Sequence, residues 1–197
     1  MDHEPRVTRR LRSDAAENQE RVLAAAATVF VRDGYAVPLA AVANEAGVGI
    51  GTLYRHYANR DALLDALQVR AYQIVLATIV EIEALGQSGL RSVELFLERT
   101  IVHRGQLVLP FHGSPDSQSP AVTASATEVG DAMRAMLSRG QVDRTVRDGV
   151  RPIDVIVFGS MIARPLPAVR HWDAIAQAQI RIFLDGISAT PRHEQSR

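Results

Sequence analysis

Apolar residues in this chain recur at spacings of three and four, in runs closed by Gly, Pro, Ser or Asn, and nothing alternates at period two for long. That is the period of the α-helix, and it predicts an all-α fold. A first helix is expected from about Asn18 to Arg32, with Val22, Leu23, Ala26 and Phe30 on one face and Gly34 past its end. A short second helix follows from Leu39 to Glu45, entered through Pro38, a residue well tolerated there. Gly47 supplies a turn, and a third helix is expected over about 49–57. Asn59 suits the N-cap of a long fourth helix reaching about Leu85, with Asp61 favourable in its first turn.

Beyond "GQSG" the pattern predicts a helix at about 90–109, then the clearest loop of the chain, "PFHGSPDSQSP". Ser119 and Pro120 read as N-cap and N1 of a helix ending near Gly140, and "RPLP" separates two more, at about 152–163 and 168–187. The tail from Thr190 reads as frayed. The chain therefore divides near residue 60. Residues 1–17 are expected to form a flexible Arg-rich arm, 18–60 a three-helix head, and 61–197 a larger helical body that shares the long fourth helix with the head.

Composition narrows the functions open to such a chain. There is no Cys, which removes disulfides, thiolate metal sites and cysteine nucleophiles together and favours a cytoplasmic protein. The N-terminal segment has no apolar h-region, and no uncharged apolar run approaches the roughly 20 residues of a membrane span, so no membrane partner is expected. The six His are scattered without metal-ligand spacing, and there is no phosphate loop or nucleophile elbow. Neither an enzyme, a metal nor a cofactor is expected. Net charge is zero, yet the chain has no Lys, so all 22 basic residues are Arg. Every phosphate or carboxylate partner would meet a planar, bidentate donor. Arg6, Arg9, Arg10 and Arg12 lie ahead of the first helix, where they could reach a minor groove or form a solvated tail.

The informative stretch is "AGVGIGTLYRHYANRDAL", residues 46–63. In a helix-turn-helix two short helices cross steeply, so their contact needs small or apolar residues, and the turn needs a positive φ. Ala43, Gly47 and Leu53 fall at the spacing this requires, with Val42 and Val48 around them. Such a pair places its second helix in the major groove of DNA. Two glycines, Gly49 and Gly51, stand where that helix should be, although an interior Gly costs about 1 kcal/mol relative to Ala. "Gly49-Ile50-Gly51" offers few side-chain hydrogen bonds but would let the backbone approach DNA closely. Specificity would then lean on Thr52, an apolar Ile50 contact and DNA shape. Alternatively, Gly51 only avoids a clash with the sugar-phosphate wall.

Residues 34–63, "GYAVPLAAVANEAGVGIGTLYRHYANRDAL", resemble the DNA-binding domain of the TetR family of transcriptional regulators, and "RVLAAAATVF" before them is similar to that family's first helix. The resemblance covers roughly residues 18–65. Its "GVGIGTLYRHY" core is similar to an actinobacterial-type branch, and "VRDGVRPIDV" at 146–155 resembles the turn before the penultimate helix there. The resemblance implies a homodimer on a palindromic or near-palindromic operator in double-stranded DNA, with a small-molecule effector held in the body. It implies DNA contacts from Thr52, Tyr54 and His56, and a phosphate contact from Arg60. Tyr54 could instead be a core aromatic, His56 a plain surface histidine, and Arg55 either a DNA contact or a solvated charge.

In the body, Tyr72, Phe96, His103, Met133 and Met136 are candidates for an effector pocket, with Phe111 at its mouth; the same residues at helical spacing would also make an ordinary core. Val155, Phe158, Gly159 and Ile162, with Ile180, Phe183, Leu184 and Ile187, form apolar stripes on the last two helices. The resemblance implies that they pack against their mates as a four-helix dimer interface; a monomer core could use the same stripes. The chain thus reads as a ligand-responsive repressor. The competing reading is a helical interaction protein that has kept the fold and lost operator binding.

Overall fold

Eight α-helices and a single 3₁₀ turn account for most of the residues described in the computed structural model, which are 5–109, 114–166 and 169–189. They are α1 (Pro5–Asp33), α2 (Leu39–Ala46), α3 (Ile50–His56), α4 (Arg60–Ala84), α5 (Gly89–His103), the 3₁₀ turn Arg104–Gln106, α6 (Pro120–Val142), α7 (Pro152–Ile162) and α8 (Trp172–Ile187). The start of α1 corrects the expected arm: the backbone is already helical from Pro5. Pro is compatible with a first helical turn, and the Arg, Leu, Ala and Glu residues up to Asn18 favour helix, so nothing local stops α1 from extending back.

Local signals place the other head boundaries. Gly34 (φ 85°) and Gly47 (φ 65°) take the left-handed conformation after α1 and α2. The Asn59 side chain caps α4 by accepting a hydrogen bond from the Ala62 N–H at 2.8 Å. Two boundaries differ from the periodicity. Helix α5 stops at His103, where the chain tightens into the 3₁₀ turn around Gly105 and then runs without regular secondary structure through Leu107–Leu109. Helix α8 begins at Trp172 after His171 in a left-handed conformation (φ 60°), with the Trp172 indole N–H donating to the Ile162 carbonyl at 2.8 Å.

Two cores result. The head core gathers Val22, Ala26, Phe30, Val42, Ala43, Leu53 and Leu63. The body core gathers Val75, Ile79, Phe96, Leu97, Met133, Met136 and Ile180. Helix α4 belongs to both, giving Leu63, Leu64 and Leu67 to the head and Ala71, Val75, Ile79 and Ile82 to the body. By length and composition alone α4 could cross a membrane, but its apolar residues are those that build the two cores. Helices α5 and α6 meet at glycines: a Cβ on Gly89 would lie 2.1 Å from the Gly140 Cα. Beside this crossing Asp143 accepts from the Gly89 N–H at 2.8 Å and from the Thr145 N–H at 2.9 Å. Burial opposes its charge, but the hydrogen bonds from Thr145 and Gly89, with Arg139 nearby, hold its carboxyl below the usual range.

Candidate nucleic-acid interface and ligand cavity

Helix α3 is held from one side. Leu53 is 0% exposed, and Tyr57 is buried one turn later, so positions four apart fasten α3 to the head. The opposite face is left to solvent: Ile50 is 42% and Tyr54 51% exposed, and Gly51 and Arg55 are exposed with them. Thr52 and His56 lie half-buried at its edges. Gly49 is not inside the helix. It is the N-cap residue (φ −67°, ψ 145°), and its carbonyl accepts from the Thr52 N–H at 2.8 Å and the Leu53 N–H at 3.2 Å. Its cost as an interior glycine therefore does not arise, since Gly is acceptable at an N-cap. Gly51 is inside the first turn, and a Cβ there would meet nothing within 4 Å. No constraint within the molecule calls for that glycine.

Of the residues expected to meet DNA, Gly49 through His56 come together on this element. Tyr54 is exposed rather than a core aromatic. The Thr52 hydroxyl already accepts a hydrogen bond from Arg55 at 2.8 Å, so the two side chains act as a pair. Arg60 departs from expectation. Its guanidinium donates to the Tyr35 carbonyl at 2.5 Å and the Val37 carbonyl at 2.6 Å, and stands 5.9 Å over the Phe30 ring. The turn between α1 and α2 leaves those carbonyls without helical partners, and Arg60 supplies the donors. In this structure two of its five N–H groups brace the inside of the head.

In the body, α4, α5, α6 and α7 leave a cavity of about 200 Å³. Its wall comprises Tyr72 and Val75, Phe96 and Thr100, Leu107 and Leu109, Ala126 and Val129, and Ile153, Ile156, Gly159 and Ser160. Of the expected pocket residues, Tyr72 and Phe96 are there. Met133 and Met136 are not: both are fully buried in the core, because the cavity lies beside the earlier turns of α6, at Ala126 and Val129, and the two Met follow on the same face one and two turns further along. His103 lines a small crevice of about 10 Å³ that adjoins the cavity through Val75, Phe96, Thr100 and Leu107, and Phe111 lies outside the described residues. The ten further residues of the wall, from α4 to α6, the segment after α5 and α7, carried no signal of a cavity in the sequence. Which helical face turns to a cavity is decided by packing.

The segment Leu107–Leu109 after α5 links this cavity to the head. Leu107 and Leu109 form part of the cavity wall, while Val108 between them is 0% exposed within the head core. Arg70 of α4 joins the same region. It donates to Glu20 of α1 at 2.6 Å and to Gln106 of the 3₁₀ turn at 3.3 Å. Two residues earlier, buried Gln68 donates to the Ser114 hydroxyl at 2.9 Å and the Pro115 carbonyl at 2.7 Å, fastening the chain before α6 onto α4. Body and head are thus contiguous through α4 and through this segment.

The stripes expected to form a dimer interface need correction. Val155, Gly159, Ile162, Ile180, Leu184 and Ile187 are buried within the single chain. A Cβ on Gly159 would lie 3.3 Å from Leu97, which is why α7 and α5 approach closely. These residues face the body because α5 supplies the complementary apolar surface. Phe158 and Phe183 are half-buried and stacked on each other at 4.1 Å. The outward faces of α7 and α8 carry other apolar residues, with Met161 66% and Ile182 63% exposed.

Comparison with known proteins agrees with this architecture. Residues 22–67 match the family profile described as bacterial regulatory proteins, tetR family. No curated protein sequence matches the chain. Among solved structures, a TetR transcription regulatory protein from Mycobacterium vanbaalenii is similar at 22% identity and a TM-score of 0.66, over 90% of this chain and 99% of that one. A TetR transcriptional regulator from Streptomyces coelicolor is similar at 24% identity and 0.63, over 86% and 98%. A ketosteroid transcriptional regulator of Mycobacterium tuberculosis is similar at 18% identity and 0.64, over 86% and 94%. At these identities the structures speak for the fold, and the profile speaks for the head. The head, residues 22–67, thus matches the tetR family of bacterial regulatory proteins, and the chain shares the fold of TetR regulator structures over most of its length.

Proposed function

We propose that this chain is a dimeric transcriptional repressor that binds a palindromic or near-palindromic operator and is released from it by a small molecule held in the body. The observation that carries the reading is α3: fixed from below by Leu53 and Tyr57, it leaves Ile50, Gly51, Tyr54 and Arg55 open on one face. Tyr54 and Arg55 offer hydrogen bonds to phosphate oxygens, and Thr52 can turn to a base edge once Arg55 engages the backbone. With residues 18–60 as the DNA-binding head and 61–197 as the effector and dimerisation part, two heads would meet successive major grooves. Met161, Ile182 and the stacked Phe158–Phe183 pair are the apolar surface proposed for the second copy. The body cavity is the place proposed for that effector. Leu107–Leu109 would carry its effect, since atoms in the cavity press on residues whose neighbour packs in the head. Release requires an effector that binds one head spacing better than the other. Such a regulator would act in the cytoplasm.

The test is selection from random DNA by the purified protein, beside a Tyr54→Ala, Arg55→Ala double variant. Both residues are exposed, so the variant should fold, whereas Arg60→Ala would disturb the head itself. A two-fold symmetric site enriched by the wild type alone, with binding that weakens steeply as salt rises, is expected. A folded dimer that enriches no sequence at low salt would refute the reading and favour a helical interaction protein.

A further inference from the structure

The chemistry of the body cavity restricts what an effector can be; this inference rests on the regulatory reading above. Among the described residues, no Arg, Asp, Glu, His, Asn or Gln side chain lines it. Its polar groups are three hydroxyls. Thr100 donates to the Phe96 carbonyl at 2.9 Å, and Ser160 donates to the Val157 carbonyl at 2.7 Å, so both protons are committed to their own helices. Tyr72 is different: among the described residues its hydroxyl has no hydrogen-bond partner, although the side chain is half-buried. Burial, with the Asp116 carboxylate nearby, raises its pKa above the usual tyrosine value, so at neutral pH it is a donor.

A charged ligand in such a site would lose its hydration without gaining a counter-ion, the costliest form of burial. Size adds a second restriction. A dry apolar cavity of about 150 Å³ accepts benzene, and this one is about 200 Å³. We propose that the effector is a compact, uncharged, largely apolar molecule, on the order of ten non-hydrogen atoms, carrying a carbonyl or ether oxygen that accepts a hydrogen bond from Tyr72. A purely hydrocarbon ligand would fill the space and leave the hydroxyl unpaired. An acid or amine of the same size would be rejected.

Four probes of nearly equal size separate these properties: acetophenone, ethylbenzene, benzoate and benzylammonium. Each is titrated into the full-length protein and followed by chemical-shift changes, on the wild type, on Tyr72→Phe and on Ala126→Leu. Acetophenone is expected to bind the wild type most tightly and to lose about three- to tenfold in Tyr72→Phe. Ethylbenzene should bind both proteins alike, and the two ions neither. Ala126→Leu, which adds atoms at the cavity wall, should abolish binding of the neutral probes. Benzoate or benzylammonium binding as tightly as acetophenone overturns the proposal, and so does failure of both neutral probes to bind the wild type. An acetophenone-to-ethylbenzene ratio unchanged in Tyr72→Phe removes the hydroxyl from the recognition. Unaltered binding to Ala126→Leu places the probes outside this cavity and overturns it too. Failure of the regulatory reading would appear in the DNA selection, which these titrations do not use.

Discussion

The head and the body are made of the same material, short-branched apolar residues on amphipathic helices, yet they resolve their cores differently. The head closes around Phe30, Leu53 and Leu63, with Ala26 and Ala43 letting helices approach. The body packs Leu97, Met133 and Met136 as tightly, but leaves about 200 Å³ between α4, α5, α6 and α7. At about 24 cal/mol per Å³, an enclosed void of that size would cost about 5 kcal/mol, and opening to solvent lowers the figure. A molecule that fills it stabilises the state in which it fits. One region closes around its helices, the other leaves space between them. What joins them is α4 and the Leu107–Leu109 segment.

Three substitutions, with Gly130→Ala as a control for the first, would break or sharpen that contrast. The largest effect is expected in the body at Gly89→Ala, whose Cβ would lie 2.1 Å from Gly140 Cα and 2.5 Å from its nitrogen. Both are backbone atoms, so α5 and α6 must separate, at a cost of about 3 kcal/mol in urea unfolding. Gly130→Ala on α6 has nothing within 4 Å and should gain up to about 1 kcal/mol. Similar behaviour of the two variants would mean that the helix crossing tolerates more space than its geometry indicates.

Next is Val108→Ala, which removes fully buried methyl groups from the head core and should cost about 2 kcal/mol. Amide exchange should quicken in α1 and α3 while α8 keeps its protection. Equal loss of protection in α8 would show that the two cores open as one unit.

The smallest effect on stability is expected at Gly51→Ala. With open space around its Cβ, the variant should gain up to about 1 kcal/mol from helix propensity. Operator affinity should fall at least tenfold, or about 1.4 kcal/mol, because the added methyl group meets DNA. Affinity within threefold of wild type would remove both accounts of this glycine, close backbone approach and avoidance of the sugar-phosphate wall.

The head was the more legible region because its signals are local. Gly47 at positive φ, Asn59 bonded to the Ala62 N–H and Leu53 turned inward each depend on neighbours within a few residues. Reading Gly49 as helix interior was off by one position, which matters because an N-cap glycine carries no interior cost. Arg60 could not be read in this way. Its carbonyl partners on Tyr35 and Val37 lie 25 and 23 residues away. A cation at a helix start has the same local pattern whether it faces phosphate or backbone.

The body repeats that lesson at larger scale. Periodicity identified α7 and α8 as apolar stripes, but whether Val155 and Leu184 met a second copy or their own α5 depended on how the helices packed. Met133 and Met136 carried the composition of an adaptable pocket and turned out to be closed core. By itself the sequence determined the all-α class, the helix-turn-helix and the resemblance of that head to the TetR family, because period, caps and turn glycines act over one or two helical turns. Only the tertiary structure decided the cavity wall, the place of Val108 between two cores and the internal role of Arg60. Those follow from side chains far apart in the chain competing for the same space and the same hydrogen bonds.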